Sequence, residues 1–246
     1  MRKRLTYTGF AIGGVLLFLV FTFQFSENDS WKSWNLPLSG KIIVIDPGHG
    51  GMDGGANVQD IMEKDISLAV SLKIRDYLQE QGALVILTRE TDRDLADGDE
   101  GSVRQRKQED LRKRAEIIND SEADLFLSIH LNAFPSSSSK GAQTFYTKRF
   151  EENEQLSKFI QAEIIRNLEN TSREAKQIQN IYLMEHAKKP GALVEIGFLS
   201  NAAERERLKS EKYQDSIAAS VYKGVLRYLT EEKVEKDDQD DGTLGR

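Results

Sequence analysis

Hydrophobic residues in the middle of the chain form short continuous runs separated by longer stretches with amphipathic spacing. The runs are typical of strands buried on both faces, and they are Lys41–Asp46, Ala83–Thr88, Asp124–Ile129 and Ala192–Ile196. The more polar stretch Gln143–Thr147 is a candidate for a further strand. Between the runs, apolar positions recur every three or four residues, which is the helical period. The predicted helices are Lys64–Leu78, a charged helix through Leu111–Ile118, Glu151–Asn170, and Ala202–Leu229 with a break near Ser210.

Alternating strands and helices predict a single α/β domain, in which helices cover both faces of a mostly parallel or mixed central sheet. In open sheets of this class, ligands bind outside the carboxyl ends of the strands. We therefore expect the chemistry-bearing side chains at that edge of the sheet.

The first 25 residues have a different character from the rest. Arg2, Lys3 and Arg4 precede Tyr7–Phe25, an apolar run that is almost free of charge. About 20 apolar residues suffice to cross a bilayer, and a basic flank favours the cytoplasmic side. The pattern predicts an N-terminal transmembrane helix that anchors a domain outside the cytoplasmic membrane. A cleaved signal peptide and a secreted product are the alternative, but the run lacks an Ala-x-Ala site.

The remaining composition divides the chain further. Residues 26–39 form a polar tether, residues 40–230 a folded domain that carries the chemistry, and residues 231–246 a charged tail predicted to be disordered. A formal charge of −6 argues against a nucleic-acid-binding protein. The chain has no cysteine, so a metal site must use His, Asp or Glu. It has three histidines, at positions 49, 130 and 186.

Four polar residues are predicted to converge at the sheet edge. His49 lies just past the first strand, His130 ends the third and Glu195 lies near the end of the last. Glu63 precedes the first helix, on the stripe that faces the sheet. Two imidazoles and a carboxylate form a common catalytic zinc set. This arrangement favours His49, Glu63 and His130 as metal ligands, and Glu195 as the general base.

Each of these residues also has a simpler interpretation. Either histidine alone is more often a hydrogen-bonded turn residue, and Glu63 alone is a favourable charge at a helix start. Glu195 would also be satisfied by an ion pair with Arg89 or Arg114. The sequence contains no compact zinc motif such as HExxH. His186 precedes the last strand, and we expect it at the surface or rim.

Several blocks, taken in order, resemble the signature of the zinc-dependent N-acetylmuramoyl-L-alanine amidases of the Amidase_3 type. They are Val44–Gly51, Glu63, Leu87–Arg89 with Asp92, Ser128–Ala133 and Val194–Asn201. The resemblance implies a mixed α/β sheet with one zinc ion per chain on His49, Glu63 and His130, and Glu195 as the catalytic glutamate. It also implies a peptidoglycan substrate, cleaved at the amide between the lactyl group of muramic acid and the L-alanine of the stem peptide.

Further residues have less specific roles in this comparison. Asn132 is expected to hydrogen-bond the substrate or to orient the ligand loop, and Asp46 to fix the His49 ring or to cap its turn. Residues 184–186 replace a Leu-Arg pair common in relatives, which puts a basic substrate contact there in doubt. The charged stretch Asp94–Gln108 is expected to be a solvated loop, with contact to the peptide or to a partner protein as the alternative.

The arrangement of one catalytic domain after a single N-terminal apolar segment resembles that of the spore-cortex branch of this family. That branch removes stem peptides on the way to muramic δ-lactam. Two other functions remain open at this stage: an exported zinc peptidase acting within the stem peptide, and a non-catalytic wall-binding or activator module. The sequence does not decide whether an activator protein is required.

Overall fold

The computed structural model describes residues 13–18, 36–98, 101–133 and 136–230. The strands are β1 (Ile42–Pro47), β2 (Asn57–Val58), β3 (Ile61–Met62), β4 (Leu84–Leu87), β5 (Leu125–Asn132), β6 (Gln143–Tyr146), β7 (Lys176–Gln177) and β8 (Gly191–Phe198). The helices of the domain are α1 (Glu63–Glu80), α2 (Val103–Asp120), α3 (Glu151–Leu168), α4 (Tyr182–His186), α5 (Ala202–Lys209) and α6 (Glu211–Leu229).

Six of the strands form one mixed sheet in the order β4-β1-β5-β8-β6-β7. The four strands β4, β1, β5 and β8 are mutually parallel, whereas β6 runs antiparallel to β8. The carboxyl ends of β1, β5 and β8 therefore meet at the same edge, together with the amino end of β6. The prediction of a single α/β domain with a mostly parallel, mixed sheet is confirmed.

Helices cover both faces because the buried strands alternate their side chains between two cores. Ile43 and Ile45 of β1 belong to the larger core, which α1, α3 and α6 complete. Val44 belongs to the smaller core with Phe126 of β5 and residues of α2 and α4. The break predicted near Ser210 is also confirmed, since that residue ends α5 and its side chain caps the start of α6.

The stretch Asp94–Gln108 is not wholly a solvated loop. Helix α2 begins at Val103, because Ser102 and Gln105 form a capping box in which each side chain bonds the other residue's main-chain N–H. Residues before the helix fold back onto it: the Leu95 N–H donates to Asp110 at 2.9 Å. The dense charge of this stretch hid the cap signal in the sequence.

The N-terminal segment belongs to a unit, residues 1–36, that is separate from the domain. Residues 13–18 are helical and exposed. Among the described residues, no helix has the length and apolar character needed to span a bilayer. Most of the apolar run Tyr7–Phe25, most of the tether Ser26–Ser39 and the whole tail Glu231–Arg246 lie outside the described residues.

Candidate active site

Three of the predicted site residues meet at the carboxyl edge of the sheet. Glu63 Oε1 lies 3.2 Å from His49 Nε2 and 2.9 Å from His130 Nδ1. The two imidazole rings meet edge to face, with centroids 4.9 Å apart. One ligand atom from each residue lies within 4.8 Å of the others, which makes this trio a possible metal centre.

Glu63 is the most buried member of the trio, with 3% of its surface exposed. Glu63 is the first residue of α1. Its Oε1 accepts a hydrogen bond from the Leu131 N–H and its Oε2 accepts one from the Ala56 N–H, both at 2.9 Å. Burial alone would raise the pKa of Glu63, but the hydrogen bonds from His130 and His49 hold it well below its usual range. Glu63 is therefore a carboxylate fixed in place on both of its oxygens.

The loop that carries His49 is held from behind by two buried arginines. Arg114 of α2 donates to the carbonyls of Pro47 at 2.7 Å and His49 at 2.6 Å. Arg89, which follows β4, donates to the carbonyls of Pro47 at 3.1 Å and Gly48 at 2.9 Å. His49 itself has a φ of 61°, a left-handed conformation that is uncommon for a residue with a side chain. We infer that these bonds stabilise the strained turn that presents the ring.

Two glycines leave the space that the ligands occupy. A Cβ at Gly48 would lie 2.4 Å from the His130 ring. A Cβ at Gly55, whose φ is +67°, would lie 2.6 Å from the His49 ring and 2.7 Å from the Glu63 carboxylate. Their role is therefore to let the three ligands pack closely around main chain.

The sequence did not identify Asp53 as a residue of this site. Its Oδ2 lies 2.8 Å from His49 Nδ1, on the far side of the ring from Glu63. The same oxygen forms a 2.9 Å ion pair with Lys107, so the stretch 94–108 reaches the site through this lysine. Burial would lower the pKa of His49, but the bonds to Asp53 and Glu63 prevail and raise it to about 9. Asp53 thus fixes the ring orientation and directs Nε2 towards the other ligands.

We expect Asp53→Ala to weaken metal binding about 10–100-fold while the domain stays folded, because it removes the group that orients a ligand. The metal affinity of Asp53→Asn should lie between those of the wild type and Asp53→Ala, since the amide oxygen can still accept a hydrogen bond from His49 Nδ1. Competition for zinc with a chromophoric chelator measures the effect. Asp65→Asn, an exposed acid on α1, is the matched control, and an equal loss there would refute the assignment.

Asp46 does not contact the His49 ring, contrary to one of the two roles considered for it. Its Oδ1 accepts bonds from Thr88 and Arg114 at 2.7 and 2.8 Å, and its Oδ2 accepts one from Ser128 at 2.8 Å. The reason is its place inside β1, where its side chain points into the buried cluster between β4, β5 and α2. Asp46 therefore holds the strand ends together.

Asn132 and His186 differ in their relation to the site. Asn132 lies on β5 just beyond an irregularity in the pairing of β5 with β8, and its main-chain carbonyl accepts the Leu199 N–H at 2.9 Å. A substrate contact by its side chain stays a prediction. His186 is exposed at the end of α4, where it stacks on Tyr182 with ring centroids 4.0 Å apart. It stands outside the metal-ligand trio.

Glu195 lies beside this trio on β8. It pairs in register with His130 of β5 on one side and with Gln143 of β6 on the other. Its Oε2 is buried and has no hydrogen-bond partner among the described residues. Burial raises the pKa of Glu195 to about 7, and the nearby Glu63 carboxylate acts in the same direction. Arg89 and Arg114, the alternative partners for Glu195, are bound to main-chain carbonyls at the His49 loop instead.

The donor set and its spacing fit a zinc ion. Zinc bonds of about 2.0–2.2 Å in a tetrahedron place neighbouring donors roughly 3.3–3.6 Å apart. The separations of 2.9 and 3.2 Å from Glu63 Oε1 are hydrogen-bond distances slightly shorter than that spacing, and all three donor atoms lie within 4.8 Å of one another. The orphaned Glu195 carboxyl oxygen supplies a second observation, because a water at such a centre would give it a partner.

Comparisons with known proteins agree over most of the chain. The family model described as N-acetylmuramoyl-L-alanine amidase matches residues 43–227. A germination-specific N-acetylmuramoyl-L-alanine amidase of Bacillus subtilis (strain 168) is 59% identical over 232 residues, which cover 94% of this chain and 98% of the relative.

Solved structures agree as well. The CwlD amidase from Clostridioides difficile, in complex with the GerS lipoprotein, is 45% identical with a TM-score of 0.75, covering 77% of this chain and 98% of that one. An N-acetylmuramoyl-L-alanine amidase from Clostridium difficile 630 is 29% identical with a TM-score of 0.69, covering 78% and 98%.

Proposed function

This chain belongs to the N-acetylmuramoyl-L-alanine amidase family, and from that membership we propose a zinc-dependent amidase reaction at the site above. The enzyme hydrolyses the amide between the muramic acid lactyl group and the L-alanine of a peptidoglycan stem peptide. His49 Nε2, His130 Nδ1 and a carboxylate oxygen of Glu63 would hold the zinc. When bound, zinc activates water as a nucleophile and polarises the carbonyl group that the water attacks.

Glu195 carries the proton through the reaction. Its carboxylate accepts a proton from the water whose oxygen attacks the lactyl carbonyl carbon. As the carbon–nitrogen bond breaks, Glu195 delivers that proton to the alanine nitrogen, which leaves as an amine.

A single observation supports this role most directly. The Glu195 carboxyl lies in register with a candidate zinc ligand, and one of its oxygens is buried without a partner. An unpaired buried carboxyl oxygen costs folding free energy, so its presence beside the candidate ligands points to a function at this place.

We further propose that the enzyme acts on spore-cortex peptidoglycan, on the way to muramic δ-lactam. The support is the 59% identity, over nearly the whole chain, to the germination-specific amidase of Bacillus subtilis. The charge-free run behind Arg2, Lys3 and Arg4 supports anchorage in the membrane with the domain outside. The complex of the 45% identical CwlD amidase with the GerS lipoprotein supports a protein partner for this chain too.

Product analysis tests the reaction. We expect full-length enzyme with zinc to release, from purified peptidoglycan, intact stem peptides that begin with a free L-alanine amine. Mass spectrometry identifies them. Cuts between amino acids would instead show a peptidase, and an unchanged wall that still binds the protein would show a non-catalytic module.

A further inference from the structure

A polar groove lies next to the catalytic edge, beyond β6. It has a volume of about 970 Å³ and runs between the end of α3 and the first residues of α5 and α6. A second cavity of about 510 Å³, in front of the loop after α3, shares Lys140, Glu169 and Asn170 with it. Together we call these two cavities the basic groove, because four cations line them: Lys140, Arg173, Arg207 and Lys212.

The topology places the basic groove on the same side of the sheet as the site. Since β6 is antiparallel to β8, its first residue, Gln143, lies at the carboxyl end of β8 in register with Glu195. Arg173 donates to the Gln143 side-chain oxygen at 3.1 Å. Its guanidinium also lies 5.2 Å from the ring centroid of Phe198, the last residue of β8. Arg173 therefore links the groove to β6, the strand paired with β8, and to the carboxyl end of β8 itself.

The charge in the groove contrasts with the rest of the protein. The whole chain carries a formal charge of −6, yet the groove has four cations and two acids, Glu169 and Glu204. Glu204 is buried, and its two oxygens accept the N–H groups of Gly141 and Phe198 at 2.8 and 2.9 Å. Among the described residues, none of the four cations forms an ion pair, whereas Lys64 and Lys107 near the metal ligands do.

We propose that the basic groove binds the free carboxylates of the stem peptide while its amide bond lies at Glu195. This inference rests on the proposed function, because it assigns one end of the same substrate. A peptide that extends from the scissile bond presents carboxylates several residues from the reacting carbonyl. Solvated, unpaired cations in a concave surface attract such groups, and their positive potential favours binding without taking part in the chemistry.

Lys140, Arg207 and Lys212 are the residues to test, because all three are exposed. Arg173 is kept, since its bonds to the Lys140 carbonyl and to Gln143 hold the groove wall. The groove variant is therefore Lys140→Gln, Arg207→Gln and Lys212→Gln together. The control variant changes Lys148, Lys158 and Lys223 to Gln; these are exposed lysines outside the groove, so both variants lose three positive charges.

The assay compares two substrates with full-length, zinc-loaded enzyme. One is a muropeptide with free stem carboxylates, and the other is its analogue with those carboxylates amidated. We expect the groove variant to raise the KM for the free-acid substrate about tenfold or more, with kcat within about twofold. The wild type should lose a similar factor on the amidated analogue, and the groove variant should no longer distinguish the substrates. The control variant should match the wild type.

Other outcomes separate the two proposals. An unchanged KM in the groove variant, or an equal loss on both substrates, would overturn the role of the groove and leave the amidase reaction intact. A third outcome combines two results: the wild type has equal KM values for both substrates, and a glycerol phosphate polymer inhibits the wild type but not the groove variant. This outcome would assign the groove to phosphate and would also overturn its role in binding stem-peptide carboxylates. Wild-type enzyme that releases no peptide from either substrate would refute the proposed function itself.

Discussion

Glu195→Gln is expected to lower kcat by about 10²–10⁴-fold while the zinc content stays near that of the wild type. The amide is nearly the same size as the carboxyl but cannot take a proton from water. The three candidate ligands, on the loop after β1, on α1 and on β5, keep their places, because Glu195 is not one of them. Turnover on a soluble muropeptide and metal analysis of the same sample test both halves of the statement.

The same variant has a second readout that needs no metal. In the chelator-treated protein, burial raises the pKa of Glu195 from 4.5 to about 7. Below pH 4.5, Glu195 is protonated in both the folded and the unfolded chain, so the contribution of its raised pKa to the free energy of unfolding is fully present. As pH rises towards 7, the unfolded chain releases the proton first, and the free energy of unfolding falls by at most about 3 kcal/mol. Glu195→Gln should lack this fall, as urea unfolding at pH 4.5 and 8 measures.

Two results would contradict the role given to Glu195. Wild-type turnover in Glu195→Gln would exclude it as the base, and loss of zinc from the variant would make it a ligand instead. Glu206→Gln, on the exposed side of α5, is the matched control for both measurements.

Glu63→Ala is expected to abolish metal binding and, with it, hydrolysis. The loss of affinity should exceed the roughly 10–100-fold typical of residues that only orient a ligand. The reason is that Glu63 supplies one of three donors and also accepts bonds from Leu131 and Ala56. The buried Leu131 N–H is left without an acceptor, at a cost of about 1–3 kcal/mol, and the half-buried Ala56 N–H loses its acceptor at a smaller cost. Zinc competition and circular dichroism of the same preparation separate lost metal from lost fold.

A second substitution keeps this prediction decisive if Glu63→Ala unfolds. Glu63→Gln retains an acceptor oxygen and a similar volume, so it should stay folded and still bind zinc much more weakly than the wild type. Glu80→Ala, an exposed glutamate at the other end of α1, should leave both properties unchanged. Wild-type affinity in Glu63→Gln would show that two histidines suffice.

The sequence predicted the framework of the site because strand ends and helix starts are local signals. Continuous apolar runs located β1, β5 and β8, and the rule for parallel sheets then brought His49, His130 and Glu195 to one edge. Glu63 was predicted from its phase with the apolar stripe of the following helix, which the structure extends to include it. Each of these inferences needed only the periodicity of hydrophobic residues along the chain and the direction of the strands.

Residues whose roles depend on loop geometry were beyond reach of that reasoning. Asp53 meets His49 only because the turn at residues 48–55 folds back on itself, and Lys107 joins them from a helix 54 positions further along the chain. The same holds for Asp46, which carries a site-like spacing but points into the core towards Arg114. The position of a residue along the sequence predicts that it lies at the carboxyl edge of the sheet. The face of the strand on which its side chain lies, and the path of the following loop, determine which residues it contacts.

The missing side chains at Gly48 and Gly55 have a consequence for how mutational surveys of this enzyme are interpreted. Neither residue can donate, accept or coordinate through a side chain, yet a single added methyl would collide with an imidazole or carboxylate. A screen that records only survival of activity would therefore group both positions with the true ligands. Direct assays of metal occupancy and proton transfer, rather than tolerance to substitution, are what distinguish the groups that perform the reaction from the empty volume that accommodates them.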